Sequence, residues 1–554
     1  MSTLRHGGRI VADQLVIQGC KAAFCVPGES FLALLDGLHD TPSIRTVVCR
    51  QEGGASMMAE AYGKLTGEPG VCMVTRGPGA TNAASGVHIA YQDSTPMILL
   101  IGQVGRDMMD REAFQEIDYR RMYGQMAKWV AQVDDTERLP EYISRAYHVA
   151  QSGRPGPVVL ALPEDMLSGT ADVPDTLPAR PAKPKAAGDE VSSFKTMLEA
   201  SERPMMIVGG GGWDTQTTTD IERFSEANNI PILASFRCQD YIDNRHPNYC
   251  GQAGIGLNTK IAERFRTADL LIAVGARLGE ITSSGYELFD IPNMAMKFVH
   301  VHPGADEIGH VYRPDLAINA TSPSFAAAIA ELQLAGAEQW KSWTQGAAGE
   351  YREGNVPKPS PGEFQMEHAV ATVRAKLRDE DIVTNGAGNY AVWLNRHFEY
   401  RRYRTQLAPT SGSMGYGLPA AISAGILHPE VRTVCFAGDG CFMMTGQELA
   451  TAMAEQLDII IIVPNNGMYG TIRMHQERRY TERVHGTSLV NPNFAKLAES
   501  YGAHGVQVTT NEAFDAAFED ALTRKGPVLI EALMSTDALS PTASLQEIRA
   551  SARS

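Results

Sequence analysis

Two polar strand ends in the C-terminal third carry the most specific chemistry in this chain. One is Gly438-Asp439-Gly440-Cys441; the other is Asn465-Asn466, whose second asparagine lies 27 residues beyond the aspartate. Each follows an apolar run rich in β-branched residues, 433–437 and 459–463. The stretch between them, 448–457, has a helical pattern. That predicts a β-α-β unit with both polar ends at the carboxyl edge of a parallel sheet, the edge at which open α/β sheets bind ligands. A carboxylate with amide and carbonyl oxygens is a hard donor set suited to Mg²⁺ or Ca²⁺. Glycines beside Asp439 let backbone approach a phosphate closely. A bare Gly-Asp-Gly is also an ordinary turn; the helix, strand and Asn pair that follow make the pattern specific.

A second candidate lies far upstream, in Val47-Val48-Cys49-Arg50-Gln51-Glu52-Gly53-Gly54-Ala55. A strand ends, and Glu52 opens a small-residue helix over 55–65. Read alone, Glu52 is a carboxylate at a helix start, stabilised by the macrodipole.

The elements that position these groups come from the chain as a whole. With 554 residues it is too long for one core, and domain-size arithmetic predicts about three domains. Two polar Pro/Ala/Lys-rich stretches, 173–189 and 350–363, read as linkers. The expected domains are therefore 1–185, 186–348 and 349–554. Each alternates short β-branched runs with helical patterns, which predicts an α/β protein of three doubly wound parallel-sheet domains. A net charge of −15 excludes nucleic acid and anionic membranes as expected partners. The eight cysteines form no CxxC pair and read as free buried thiols. No run is long enough to span a bilayer and the N-terminus is not a signal peptide, so a cytoplasmic location is expected.

Further motifs resemble those of thiamine diphosphate (ThDP) enzymes, in particular the acetohydroxyacid (acetolactate) synthase branch. They are Val74-Thr75-Arg76-Gly77-Pro78-Gly79-Ala80-Thr81-Asn82, Gln92-Asp93-Ser94-Thr95-Pro96, Ala113-Phe114-Gln115-Glu116 and Ser411-Gly412-Ser413-Met414-Gly415-Tyr416-Gly417-Leu418-Pro419, together with the GDG and NN pair. The match covers essentially the whole chain. It implies a pyrimidine-binding, a central and a diphosphate-binding domain. By the resemblance Glu52 hydrogen-bonds the cofactor's aminopyrimidine and promotes its activation, and Pro78 and Asn82 join the cofactor contacts. Gly412 accepts from the 4′-amine and Met414 is the wedge under the bent cofactor. Gly388, Asn389, Tyr390, Gly440 and Cys441 hold the diphosphate. Asp439, Asn466 and the carbonyl of Met468 ligate Mg²⁺, and Gln115 lies over the active centre. The resemblance further implies a homodimer or homotetramer with active sites at subunit interfaces.

The implied activity is that of a transferase or lyase. It decarboxylates a 2-oxo acid such as pyruvate and passes the remainder to a second carbonyl. Alternatives are a lyase or decarboxylase of the benzaldehyde lyase or 2-hydroxyacyl-CoA lyase kind, and a flavin-dependent 2-oxo acid oxidase. The departures from the synthase pattern concern substrate. Pro27-Gly28-Glu29 replaces PGG, Pro163-Glu164-Asp165 replaces PKD, and His475 stands where the branch has a pocket tryptophan. Glu29 reads either as an acid/base or charge-selecting group or as a helix-start carboxylate. His475 reads either as an acid/base or as a surface histidine. In the central domain, 209–212, Gly275-Ala276-Arg277 and Arg154 match the branch's FAD site, but Val301-His302-Pro303-Gly304 replaces its acidic turn. FAD, ADP and an empty crevice all stay open.

Overall fold

The apolar runs become the strands of three six-stranded sheets, every strand parallel to its neighbours. We describe residues 4–553 from a computed structural model. The first sheet runs, in spatial order, Arg45–Val48, Ala22–Cys25, Gly70–Thr75, Met97–Gln103, Pro157–Pro163, Trp129–Gln132. The third runs Gln406–Leu407, Ile382–Asn385, Thr433–Phe436, Ile459–Asn465, Val528–Leu533, His504–Val508. Numbered within each unit, both have the order 2-1-3-4-6-5, so the first and third units share one topology. The central sheet runs Tyr249–Gln252, Ile232–Ala234, Pro204–Val208, Leu270–Val274, Lys297–Val301, Leu316–Ile318. Its order is 3-2-1-4-5-6, the dinucleotide-binding arrangement. In each sheet the order reverses between two strands, and the loops leaving those strands open a crevice.

Both faces of these sheets are covered by helices, so their strands read as continuous apolar runs rather than alternating ones. One core joins the first and third units through helices Glu52–Thr66, Pro78–Asp93 and Gly417–Leu427. Small residues make the crossings close: a Cβ on Gly86 would come within 2.3 Å of Ser56 Oγ. A buried polar cluster pins the same junction. Glu60 accepts from Tyr416 Oη at 2.5 Å and Thr95 Oγ1 at 2.7 Å. Lys64 pairs with Asp93 and donates to Ala408 O at 3.0 Å, and Asp93 accepts from Thr410 N at 3.0 Å. The loop carrying Gly412 and Met414 is thus tied to the first unit.

Several local expectations need correction. The helix expected over 448–457 starts earlier, as Asp439–Thr445, and resumes after a 3₁₀ turn as Leu449–Ala454. Asp439 is therefore a first-turn residue, where a carboxylate complements the helix dipole. The helix expected over 55–65 is Glu52–Thr66, because Gln51 Oε1 accepts from Gly54 N at 3.1 Å and caps it three residues sooner. The stretch 350–363 is only partly a linker. Helix Lys341–Gly354 runs into it, held by Arg264, which donates to both carboxylate oxygens of Glu350. The 173–189 stretch is extended up to helix Gly188–Glu199, and Gln14 and Gln18 hydrogen-bond it to the first unit. All eight cysteines are free and buried. Among the described residues no helix is long and apolar enough to cross a membrane.

Candidate active site

The crevice of the third sheet opens between the loops after Ile382–Asn385 and Thr433–Phe436. It continues into a cleft of about 1250 Å³. Gly388, Asn389, Tyr390, Gly412, Met414 and the 438–441 turn line it, as do Asn466, Met468 and His475. Gly388 (φ +143°) and Gly412 (φ +67°) take backbone conformations that favour glycine.

Asp439 is buried, and burial pushes its carboxyl above the usual range. Its Oδ2 accepts from Gly467 N at 3.0 Å and Asn491 Nδ2 at 2.7 Å. The two asparagines of the pair divide their work. Asn465 turns into the sheet: its Oδ1 accepts from Asn491 Nδ2 at 3.0 Å and its Nδ2 donates to Glu531 at 2.8 Å. Asn466 lines the cleft, and its Oδ1 accepts from Met468 N at 3.2 Å. Glu531 is buried and gathers Phe494 N and Gln507 Nε2, each at 3.0 Å. A polar chain Glu531–Asn465–Asn491–Asp439 thus fixes the aspartate from behind. Sequence reasoning missed Asn491 and Glu531; neither belongs to a motif, and only the folded chain brings them to Asp439.

Two side chains expected at the diphosphate have their polar ends occupied. Tyr390 Oη accepts from Gly386 N at 3.0 Å and lies 3.3 Å from Cys441 Sγ, which accepts from Gly415 N at 3.1 Å. What this loop offers a ligand is therefore backbone. Asn389 ties the wall together, donating to Leu539 O at 2.8 Å and accepting from Thr471 Oγ1 at 2.9 Å. His475 is exposed on helix Gly470–Arg479. That helix is clamped to Leu545–Arg553 by Glu477, which Arg549 grips at 2.8 and 3.0 Å and Arg473 at 2.9 Å. The Arg549 contact is the largest influence holding the Glu477 carboxyl down at about 2.

The first unit presents the other candidates. Glu52 Oε2 accepts from Asn82 Nδ2 at 2.9 Å, and a Cβ on Gly79 would stand 3.3 Å from Glu52 Oε1. The helix start is braced from the third unit: buried Glu448 accepts from Gln51 N at 2.9 Å and Arg50 N at 3.2 Å. Pro78 is exposed at the start of its helix. Gln115 (φ +66°) packs over Gly77 (φ +59°), where a Cβ would come within 2.7 Å of the Gln115 Cβ. Glu29 is exposed, 3.9 Å from Arg76. Within one chain Glu52, Asn82, Gln115 and Glu29 do not line the cleft of Asp439.

The central crevice is a separate cavity of about 940 Å³, lined by Gly210–Gly212, Trp213, Arg237 and Arg277 and, from the first unit, Lys64. Much of its glycine run answers to packing: a Cβ on Gly210 would strike Gly275 O at 1.9 Å, and one on Gly211 Ser94 O at 2.1 Å. Arg154 and Arg277 converge on Glu307 at 3.5 and 3.2 Å. His302 turns inward, its Nδ1 within 3.1 Å of Gly304 N.

Comparison with known proteins agrees with this architecture unit by unit. The thiamine pyrophosphate enzyme N-terminal TPP binding domain matches residues 5–122, the central domain 191–329 and the C-terminal TPP binding domain 386–532. The chain belongs to the thiamine pyrophosphate enzyme family, in its acetohydroxyacid synthase-like branch. It is 31% identical to the acetolactate synthase isozyme 1 large subunit of Escherichia coli, over 95% of this chain and 93% of that one. It is 30% identical to a probable acetolactate synthase large subunit of Methanocaldococcus jannaschii (95% and 91%) and 29% identical to the acetolactate synthase large subunit of Lactococcus lactis (96% and 92%).

The cleft residues suit a metal-bound diphosphate. The Asp439 carboxylate, Asn466 Oδ1 and the Met468 carbonyl are hard oxygen donors on residues that line the cleft. Among the described residues no group of three His, Cys, Asp or Glu forms a metal cage. Three protein oxygens leave an octahedral cation to be completed by oxygens of its ligand or water.

Proposed function

We propose that this protein is a ThDP- and Mg²⁺-dependent carboligase. It decarboxylates a 2-oxo acid and joins the remainder to a second carbonyl compound. The carrying observation is the buried Asp439, held by Asn491 and Gly467 beside Asn466 and two positive-φ glycines. When bound, the cofactor supplies an electron sink at its thiazolium carbon. Asp439, Asn466 and the Met468 carbonyl hold the metal. Backbone around Gly388–Tyr390 and Gly440–Cys441 would hold the diphosphate, and Gly412 and Met414 would contact the rest of the cofactor. Glu52, held by Asn82 Nδ2, would accept or share a hydrogen bond with the cofactor's aminopyrimidine. Because Glu52 does not share the cleft within one chain, the working site takes Glu52, Pro78, Asn82 and Gln115 from a second copy. A homodimer, or a tetramer of two such pairs, follows. In this reading residues 1–185 carry the pyrimidine half, 186–348 the central unit and 349–554 the diphosphate half.

The test supplies 2-oxo acids, ThDP and Mg²⁺ with a second carbonyl, and measures CO₂ release and the carbon–carbon product. Pyruvate supplied alone is assayed for acetolactate, and pyruvate with acetaldehyde for acetoin; either joined product supports the carboligase reading. Aldehyde release without a joined product supports the lyase or decarboxylase alternative. Oxygen uptake by a yellow protein supports the oxidase. Turnover surviving Glu52→Gln refutes the assignment of Glu52. For the central crevice we propose FAD, on its dinucleotide-type strand order. Absorbance of the purified protein and mass spectrometry of released cofactors test it, with ADP or no nucleotide as refuting outcomes.

A further inference from the structure

The first and third sheets share one strand order, so their crevices correspond. In the third, the loops beyond the first and third strands build the cofactor cleft. In the first, the equivalent loops follow Ala22–Cys25 and Gly70–Thr75, and they carry Glu29 and Arg76. Arg76 is only 7% exposed, so its charge must be compensated locally. Its Nε donates to Phe114 O at 3.1 Å, which holds the loop bearing Gln115. Its Nη1 donates to Glu164 Oε2 at 3.0 Å, and its Nη2 stands 3.9 Å from Glu29 Oε1. Glu164 comes off Pro157–Pro163 on the same carboxyl edge. One guanidinium therefore faces two carboxylates. Arg76 also leads directly into Gly77-Pro78-Gly79, whose last residue abuts Glu52. The triad is thus tied through the 76–79 turn to the proposed catalytic carboxylate, and Glu29 projects from it into solvent with a side-chain exposure of 73%.

We propose that the Glu29–Arg76–Glu164 triad selects the charge of the second substrate, and that the acceptor is an uncharged aldehyde or ketone rather than a 2-oxo acid anion. This rests on the carboligase reading above. Arg76 is a specificity residue that its two carboxylate partners keep from serving as an anion site. The triad's net negative charge repels an incoming carboxylate and leaves an aldehyde unaffected. In the reaction, the donor's C1–C2 bond breaks with release of CO₂. The electron pair left on C2 forms the new bond to the aldehyde carbon, and one proton goes to the resulting alkoxide oxygen. The donor enters as an anion too, but its carboxylate leaves as CO₂ before the acceptor reacts, so partition between competing acceptors at a fixed donor concentration reads the second step.

The experiment pairs propionaldehyde with 2-oxobutyrate, acceptors of matched alkyl length, in competition for the donor that the CO₂ assay identifies. Wild-type enzyme is expected to favour the aldehyde by about tenfold, the order of one charge contact in a partly solvated cleft. Glu164→Gln, which removes one of the two negative charges facing Arg76, is expected to move the ratio toward the 2-oxo acid by a similar factor. Raising the salt, which shortens the Debye length from about 30 Å at 0.01 M to about 8 Å at 0.15 M, is expected to move the acceptor ratio toward 2-oxobutyrate. This arm needs no variant and stands if Glu164→Gln does not fold. CO₂ release with an acceptor ratio near one, unmoved by variant and salt, overturns the inference and leaves the carboligase reading intact. No CO₂ from any 2-oxo acid overturns the reading, and the inference with it.

Discussion

Replacing Asn491 by Ala tests whether the polar chain behind Asp439 tunes the metal site. Asn491 supplies one of two hydrogen bonds to Asp439 Oδ2, at 2.7 Å, and its amide also reaches Asn465 Oδ1 at 3.0 Å. Gly467 N remains as a donor to both acceptors, at 3.0 and 3.1 Å. The variant therefore loses one charge-assisted bond, worth about 1.5–3 kcal/mol, without leaving either oxygen bare. Burial already pushes the Asp439 carboxyl up, and the Gly440 amide and then the Asn491 side chain draw it back down. Without Asn491 the carboxyl rises further, and the metal must compete with a more tightly held proton. Metal affinity in the presence of ThDP is expected to fall by roughly 10- to 100-fold, the range for lost outer partners of a metal ligand. The deficit should shrink as pH rises and Asp439 ionises in both proteins. Titration with Mn²⁺ followed by electron paramagnetic resonance, at pH 6 and pH 8, reads this directly. Affinity within about twofold of wild type at both pH values, against the tenfold expected per 1.4 kcal/mol, would refute the reasoning.

Two further predictions concern the frame around the site. Glu448→Ala removes the acceptor that two backbone donors now meet at 2.9 and 3.2 Å. A destabilisation of about 2–3 kcal/mol is expected, with weaker ThDP activation through displaced Glu52. Denaturant unfolding and turnover check it, and a shift in neither contradicts the brace. His300 and His302 are buried mainly at the expense of their charged forms, which puts both near 4. The unfolded chain binds these protons near the ordinary 6.5, so stability is full above that pH and falls as pH drops from about 6.5 toward 4. The His300→Leu, His302→Leu double variant is expected to flatten this acid limb of the urea-unfolding profile; an unchanged slope refutes it.

How far the chain could be read depends on the range of the interactions. The runs 204–208, 270–274 and 459–463 are uninterrupted apolar stretches, and strands covered on both faces must look so. Their alternation with helical segments was enough for three parallel sheets. Asp439, Asn466 and Glu52 were readable because strand ends and helix starts are local features that put polar groups at a sheet edge. Boundaries were read less well. The helix at Asp439 and the one ending at Gly354 depend on a dipole-matched carboxylate and on Arg264, neither visible as periodicity.

The sequence by itself determined the three parallel sheets and the polar strand ends at Asp439 and Asn466, because those follow from hydrophobic period and turn chemistry, and its motifs carried the family resemblance. Only the tertiary structure decided which side chains hold those residues in place. Asn491 reaches Asp439 across 52 positions and Glu448 reaches Arg50 across 398. It also decided that the hydroxyl of Tyr390 and the thiol of Cys441 satisfy each other inside the wall, and that Arg76 stands between two carboxylates. The physical reason is that a buried polar group must find its partner wherever the fold delivers one. No local pattern in the chain encodes that delivery.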